Sequence, residues 1–159
     1  MLATHQDQLP QSVERKQIEE LQRQMSQLPQ APGMTTTHHF HNGMYCRRIE
    51  IPAGNLIVSK VHKTEHLFIG CQGELFVAGQ GESYVLRSGD IIPSSAGTKR
   101  AVAALSDVVC LTIHRTDLQS VDGLEAELMQ DDPLSMYDIN NQPKTGVLTQ
   151  DQVDKLEKT

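Results

Sequence analysis

Tryptophan is absent from this 159-residue chain, and Phe, Tyr and Trp together make up only 4% of it. A core must therefore rest on Val, Ile, Leu and Ala. Cysteine is also sparse: Cys46, Cys71 and Cys110 are an odd number, each set in an apolar run. They read as small buried hydrophobes of a reducing compartment, which excludes a disulfide framework. No apolar run approaches the ~20 residues that span a bilayer. Nor does Met1-Leu2-Ala3-Thr4-His5 carry a charged-then-apolar leader pattern. A soluble protein of the cytoplasm is the expectation, with no membrane partner. A basic excess is missing too, since ten acidic residues against three lysines follow residue 116, a net −7. The first 116 residues carry 11 basic and 10 acidic side chains together with all seven histidines. No stripe suited to a phosphodiester backbone is left, so nucleic acid is an unexpected partner.

Three textures succeed one another along the chain. Residues 1–33 are Gln-rich and polar, and Ser12 is placed to cap a helix that Pro29 and Pro32 would end. Ile18, Leu21, Met25 and Leu28 form a narrow apolar stripe on that helix, suited to packing on its own domain or to self-association. Residues 34–116 break into short β-rich runs with turn residues between them: 44–51, 56–62, 66–71, 74–78, 83–87, 91–93, 99–104 and 108–115. Such regular spacing without intervening helices predicts an antiparallel sandwich or barrel. Residues 117–159 return to an acidic tail with a short amphipathic helix over 121–129 and a capping box at Thr149-Gln150-Asp151-Gln152. Composition predicts a tail that orders on meeting a partner.

The densest chemistry lies in Lys60-Val61-His62-Lys63-Thr64-Glu65-His66. If the runs 56–62 and 66–71 pair as a hairpin, His62 and His66 face each other across its turn. The same residues match His-x-x-Glu-His, but that zinc-peptidase pattern needs a helix and the flanks here are strand-like. A second cluster, Thr36-Thr37-His38-His39-Phe40-His41, reads as a polar loop ahead of the first strand. None of the cysteines has a base beside it in sequence, and Ser94-Ser95 lacks a nucleophile elbow, so no reaction is assigned.

The central segment resembles the cupin superfamily of jelly-roll barrels. Gly54 and Gly73-Glu74-Leu75 fit the ends of the first cupin motif, and Ser88-Gly89-Asp90 fits the start of the second. In that alignment the four metal-ligand positions read Lys60, His62, His66 and Arg100. More closely, residues 37–129 resemble small cupin-like proteins encoded by tailed bacteriophages. The likeness runs through Ile51-Pro52-Ala53-Gly54, His62-Lys63-Thr64-Glu65-His66, Gly97-Thr98-Lys99-Arg100 and Thr112-Ile113-His114-Arg115. It implies a phage or prophage origin and a cupin fold, in host cytoplasm or virion, without a reaction.

The expected architecture is mainly β, an antiparallel jelly-roll cupin-like β-barrel with an N-terminal helical arm (1–33) and a short-helical acidic tail (117–159). Two cations in place of metal ligands repel a divalent ion and suit an anion instead. The expected site is therefore a pocket for a small anionic ligand, a nucleotide or a phosphorylated or carboxylated metabolite. Lys60 and Arg100 would bear its charge, and His62, His66 and His114 would supply hydrogen bonds. Two alternatives stand beside it. One is a metal-dependent enzyme with a divalent cofactor on His62, His66 and His114. The other is a virion or assembly component whose arm or tail meets a protein partner. A homo-oligomer is expected in each case.

Overall fold

The structure is a computed structural model that describes residues 15–28, 33–79 and 81–144. Ser12, the end of the 143–146 linker and the capping box at Thr149 lie outside the described residues. The order of elements is α1 (Arg15–Met25), β1 (Thr35–His41), β2 (Met44–Ile51), β3 (Leu56–Val58), β4 (His66–Gln72), β5 (Leu75–Gly79), β6 (Glu82–Leu86), β7 (Ile91–Ser94), β8 (Ala101–Ala104), β9 (Val108–Arg115) and α2 (Leu124–Leu128).

The strands form a five-stranded sheet ordered β1-β2-β9-β4-β7 and a four-stranded sheet ordered β3-β8-β5-β6, with every pairing antiparallel. No strand among the described residues joins the two sheets, so the architecture is a two-sheet sandwich and not the closed barrel expected. One core fills the space between them. Ile51, Phe68, Val108 and Cys110 from the larger sheet pack with Ile57, Leu75, Val77 and Leu86 from the smaller. Alternation explains which side chains enter. In β9, Val108, Cys110, Thr112 and His114 are buried while the residues between them are not. Pro93 sits in β7, at the edge of its sheet, where its missing N–H costs no ladder bond.

Two expectations about local structure fail. Residues 56–62 and 66–71 do not pair as a hairpin, because β3 and β4 belong to different sheets. The chain instead crosses the end of the sandwich between them. Period-two patterning identifies a strand but not the sheet it joins. The polar stretch 36–41 is no loop either: it lies in β1, paired in register with β2 from Thr35↔Glu50 to His41↔Met44. Its Asn42-Gly43 turn, with positive φ of 45° and 80°, is the tight hairpin connection that fits the twist of the strands.

The flanking segments dock on the sandwich. Ile18 of α1 is 1% exposed against Val58 and Ala101, with Leu21 and Met25 beside it, whereas Leu28 drops out of the stripe at 59% exposure. Beneath the helix Lys99 Nζ donates to Gln22 Oε1 (2.6 Å) and to Asp132 Oδ2 (3.1 Å). Residues 130–144 lie over one end of the sandwich, where Met136 and Tyr137 enter the core and Gln142 Nε2 donates to the Met34 carbonyl (2.8 Å). Up to residue 144 the acidic segment packs against the sandwich.

Candidate functional site

His62 is set by the crossing loop. Its N–H donates to the Thr98 carbonyl (2.9 Å) and its carbonyl accepts from Gly97 (2.7 Å). His66 opens β4 and stands opposite His114 of β9 and Ser94 of β7. All three imidazoles are buried, and they stack face to face. Centroid separations are 4.3 Å for His62–His66, 4.7 Å for His66–His114 and 5.6 Å for His62–His114, with interplanar angles of 24°, 18° and 7°. The stack continues through Tyr45, 5.9 Å from His114. Tyr45 Oη in turn lies 2.7 Å from His38 Nδ1, and His38 Nε2 lies 2.7 Å from Asn140 Oδ1. His39 and His41 point outward from β1, so the second histidine cluster is split between the two faces of the sheet.

Burial holds all three stacked imidazoles neutral. It pushes His62 well below its usual value, lowers His66, and takes His114 down to about 3. Each also faces other groups that repel a proton, Arg100 beside His62 and His66 and Arg47 beside His114. His66 Nδ1 lies 3.1 Å from the Thr64 carbonyl, which leaves Nε2 as the acceptor for Arg100 Nη1 at 3.4 Å. Among the described residues His114 has no hydrogen-bond partner at either ring nitrogen.

The cupin resemblance implies a divalent metal, and these residues do not fit one. Metal-binding imidazoles must aim in-plane lone pairs at one point about 2.0–2.1 Å away. Near-parallel stacked rings direct their lone pairs along separate planes. The one nitrogen of His66 free of the backbone is covered by a guanidinium. Among the described residues no group of three or more His, Cys, Asp or Glu side chains could hold a metal ion. The proposed set His62, His66 and His114 is brought together, but as a stack and not as a ligand set.

A cavity of about 120 Å³ lies between the sheets. Lys60, His62 and Arg100 line it, and His66 and His114 do not. Those two border a shallower groove at the sheet end, with Met44, Leu67 and Ser94. Lys60 is not available as a free point charge, because its Nζ donates to Glu125 of α2 in an ion pair that is mostly buried on the lysine side. Arg100 sits 5.0 Å over the Phe68 ring and donates to Ser94 Oγ.

Sequence reasoning missed Arg47. It lies on the inner face of β2 with Tyr45, Ile49 and Ile51, and it lines the same cavity. Its Nη2 donates to the Ile139 carbonyl (3.0 Å) and to Asn141 Oδ1, while its buried Nε has no partner. Strand alternation could have placed it inward, since residues 45, 47, 49 and 51 share a face. Glu125 and Asp138 also line the cavity, and no local pattern announces either. The cysteines divide: Cys110 is buried and its thiol is pushed up to about 12, Cys46 is half-buried, and Cys71 is exposed and not the core residue expected.

No family model matches the sequence, and no curated protein is similar to it. Solved structures do resemble it in part. One is a cupin superfamily protein from Desulfitobacterium hafniense, at 15% identity over 58% of this chain and 88% of that one, with a TM-score of 0.47. Another is KdgF from Halomonas sp., at 20% identity over 55% and 84%, with a TM-score of 0.48. A third is salicylate 1,2-dioxygenase from Pseudaminobacter salicylatoxidans, at 17% identity over 60% of this chain and 30% of that one, TM-score 0.48. Likeness at this level carries no ligand or reaction across. No helix among the described residues is long and apolar enough to cross a membrane.

Proposed function

We propose that this chain is a phage-type cupin-like protein that binds a small organic anion in the cavity between its sheets. The observation that carries this reading is the pair Arg47 and Arg100. Both guanidiniums line one largely apolar cavity, and neither forms an ion pair with a carboxylate among the described residues. Burial pushes both below the ordinary arginine value, yet a guanidinium does not give up its proton in a protein. The charge needs a counter-charge, and a bound anion supplies it through charge-assisted hydrogen bonds.

Cavity size narrows the choice. About 120 Å³ is well short of the ~300–1,000 Å³ typical of drug-sized pockets. That disfavours the nucleotide and suits a small acid. Calorimetry on the purified protein with small carboxylates, inorganic phosphate and a nucleotide tests the reading. Binding of a small anion at micromolar affinity or tighter, abolished in Arg100→Ala, is the expected result. No heat with any anion sinks it. A homo-oligomer belongs to the same proposal, since Met44, Leu67 and Ile91 stand exposed on the outer face of the five-stranded sheet, a surface a second copy would cover. Light scattering that reports only monomer removes that part.

A further inference from the structure

We infer that the ligand is a monocarboxylate with a compact apolar body, anchored by Arg47 and Thr112 at the β2–β9 ladder. The alignment with cupin motifs would instead place its contacts at Lys60, His62, His66 and Arg100. This inference rests on the anion-binding reading above and goes beyond it in naming the anchor and the class.

The anchor follows from register. Arg47 and Thr112 are directly opposed across β2 and β9, and Phe68 is the next partner of Thr112 on β4. All three side chains point inward and line the cavity. Thr112 is 8% exposed, and among the described residues its Oγ1 has no hydrogen-bond partner; nor has Arg47 Nε beside it. Two buried donors left open on adjacent strands, on side chains that line one cavity, mark where an acceptor would be taken up. Arg100, just ahead of β8 and stacked over Phe68, lines the same cavity.

The class follows from charge and wall chemistry. With the imidazoles neutral, the cavity wall carries three basic side chains (Arg47, Lys60, Arg100) against two acidic ones (Glu125, Asp138), an excess of one positive charge. One carboxylate balances it. A phosphate monoester, at about −1.5 to −2 near neutral pH, would overcharge the site. The rest of the wall is hydrocarbon from Ile49, Ile51, Ile57, Leu75 and Val102, which solvates an apolar body and offers little to a second polar group.

The test titrates the full chain with butyrate, hexanoate, butyramide and inorganic phosphate, in wild type and in Thr112→Val, Arg47→Gln and Arg100→Ala. Thr112→Val removes one hydroxyl and keeps the side-chain shape, so its melting temperature without ligand should hold or rise. Wild type should bind a carboxylate but not the amide or phosphate, and Thr112→Val should weaken binding roughly tenfold or more, the loss expected for a hydrogen bond to a charged group. Arg47→Gln should weaken it further. Carboxylate binding unchanged in Thr112→Val and Arg47→Gln but lost in Arg100→Ala overturns the anchor and leaves the anion reading standing. Phosphate binding more tightly than either acid overturns the class. Absence of binding by every probe in wild type ends both.

Discussion

Lowering the pH from 7.5 to 5 should destabilise this protein, and His114 should account for a defined share of the loss. The imidazole is 2% exposed, and burial is the main reason it resists protonation, with His66 in the stack and Arg47 on the neighbouring strand repelling the added charge. In the folded chain its pKa falls to about 3 from an unfolded 6.5. The unfolded state therefore binds the extra proton first. Stability is fully present above 6.5 and drains away as the pH falls toward 3. Between pH 7.5 and 5 the unfolded imidazole titrates over roughly 1.5 pH units while the folded one stays neutral, which is worth about 2 kcal/mol. His62 and His66 add to the loss in the same direction. Asp132 does not confuse this window, because its contribution is lost only below its ordinary 3.8. Urea unfolding at both pH values, in wild type and His114→Leu, measures the difference. The variant should retain about 2 kcal/mol that wild type loses, and at pH 7.5 it should be no less stable, since two unpartnered ring nitrogens are gone. Equal pH slopes in the two proteins would refute the reasoning, as would ring chemical shifts showing His114 charged at pH 5.

Two further substitutions test how the frame holds the site. Lys99→Met leaves the Asp132 carboxylate, whose side chain is 14% exposed, with only Gln22 and a backbone N–H for company. Breaking a buried pair from one side costs roughly 3–5 kcal/mol, and Lys99→Met/Asp132→Leu should recover most of it, read as melting temperatures. A single variant within half a kcal/mol of wild type, by rough mutational standards, would mean the pair contributes little. Gly73→Ala should prevent folding or cost several kcal/mol by comparable precedent, because φ is +74° and a Cβ would lie 2.0 Å from the Asp107 carbonyl oxygen. Gly89→Ala, at φ +90° with nothing within 4 Å of the added carbon, carries only the left-handed strain of about 1–2 kcal/mol. Similar losses in the two variants would show that space at Gly73 is not what matters.

What the sequence discloses and what it conceals divide along physical lines. Strands β2 and β9 are legible to the residue, since 44–51 and 108–115 are runs bounded by turn residues on both sides. The stripe at Ile18, Leu21 and Met25 likewise reads correctly as a helix face. Strand β1 is hidden because a polar edge strand lacks the apolar alternation that announces the others, and only Asn42-Gly43 gives it away. The meeting of His62 with His66 was expected through a hairpin and arises through a crossing loop, so the contact is right and its cause is not. The ion pair of Lys60 with Glu125 joins residues 65 apart in sequence, and no local pattern forecasts it. The core, in short, is written in periodicity, while the charges of the cavity are settled by tertiary pairing.

That division bears on which residues carry the functional argument. Imidazoles are the obvious candidates for a site because histidine is the side chain that titrates near neutrality. In a buried stack this is what makes them weak witnesses, since each can shed its proton and rest as a neutral ring at modest cost. Arginine has no such exit. A buried guanidinium stays charged, and the fold must offset it with a carboxylate, with backbone carbonyls or with a ligand. Lys60 has its carboxylate. Arg47 has one carbonyl and one amide oxygen, with Nε unmet and an unmet Thr112 hydroxyl beside it. Retaining both open donors lowers the stability of the empty protein, and replacing Thr112 by Val should recover some of it. A fold that keeps such groups next to a cavity is better explained by what enters the cavity than by what holds the fold together.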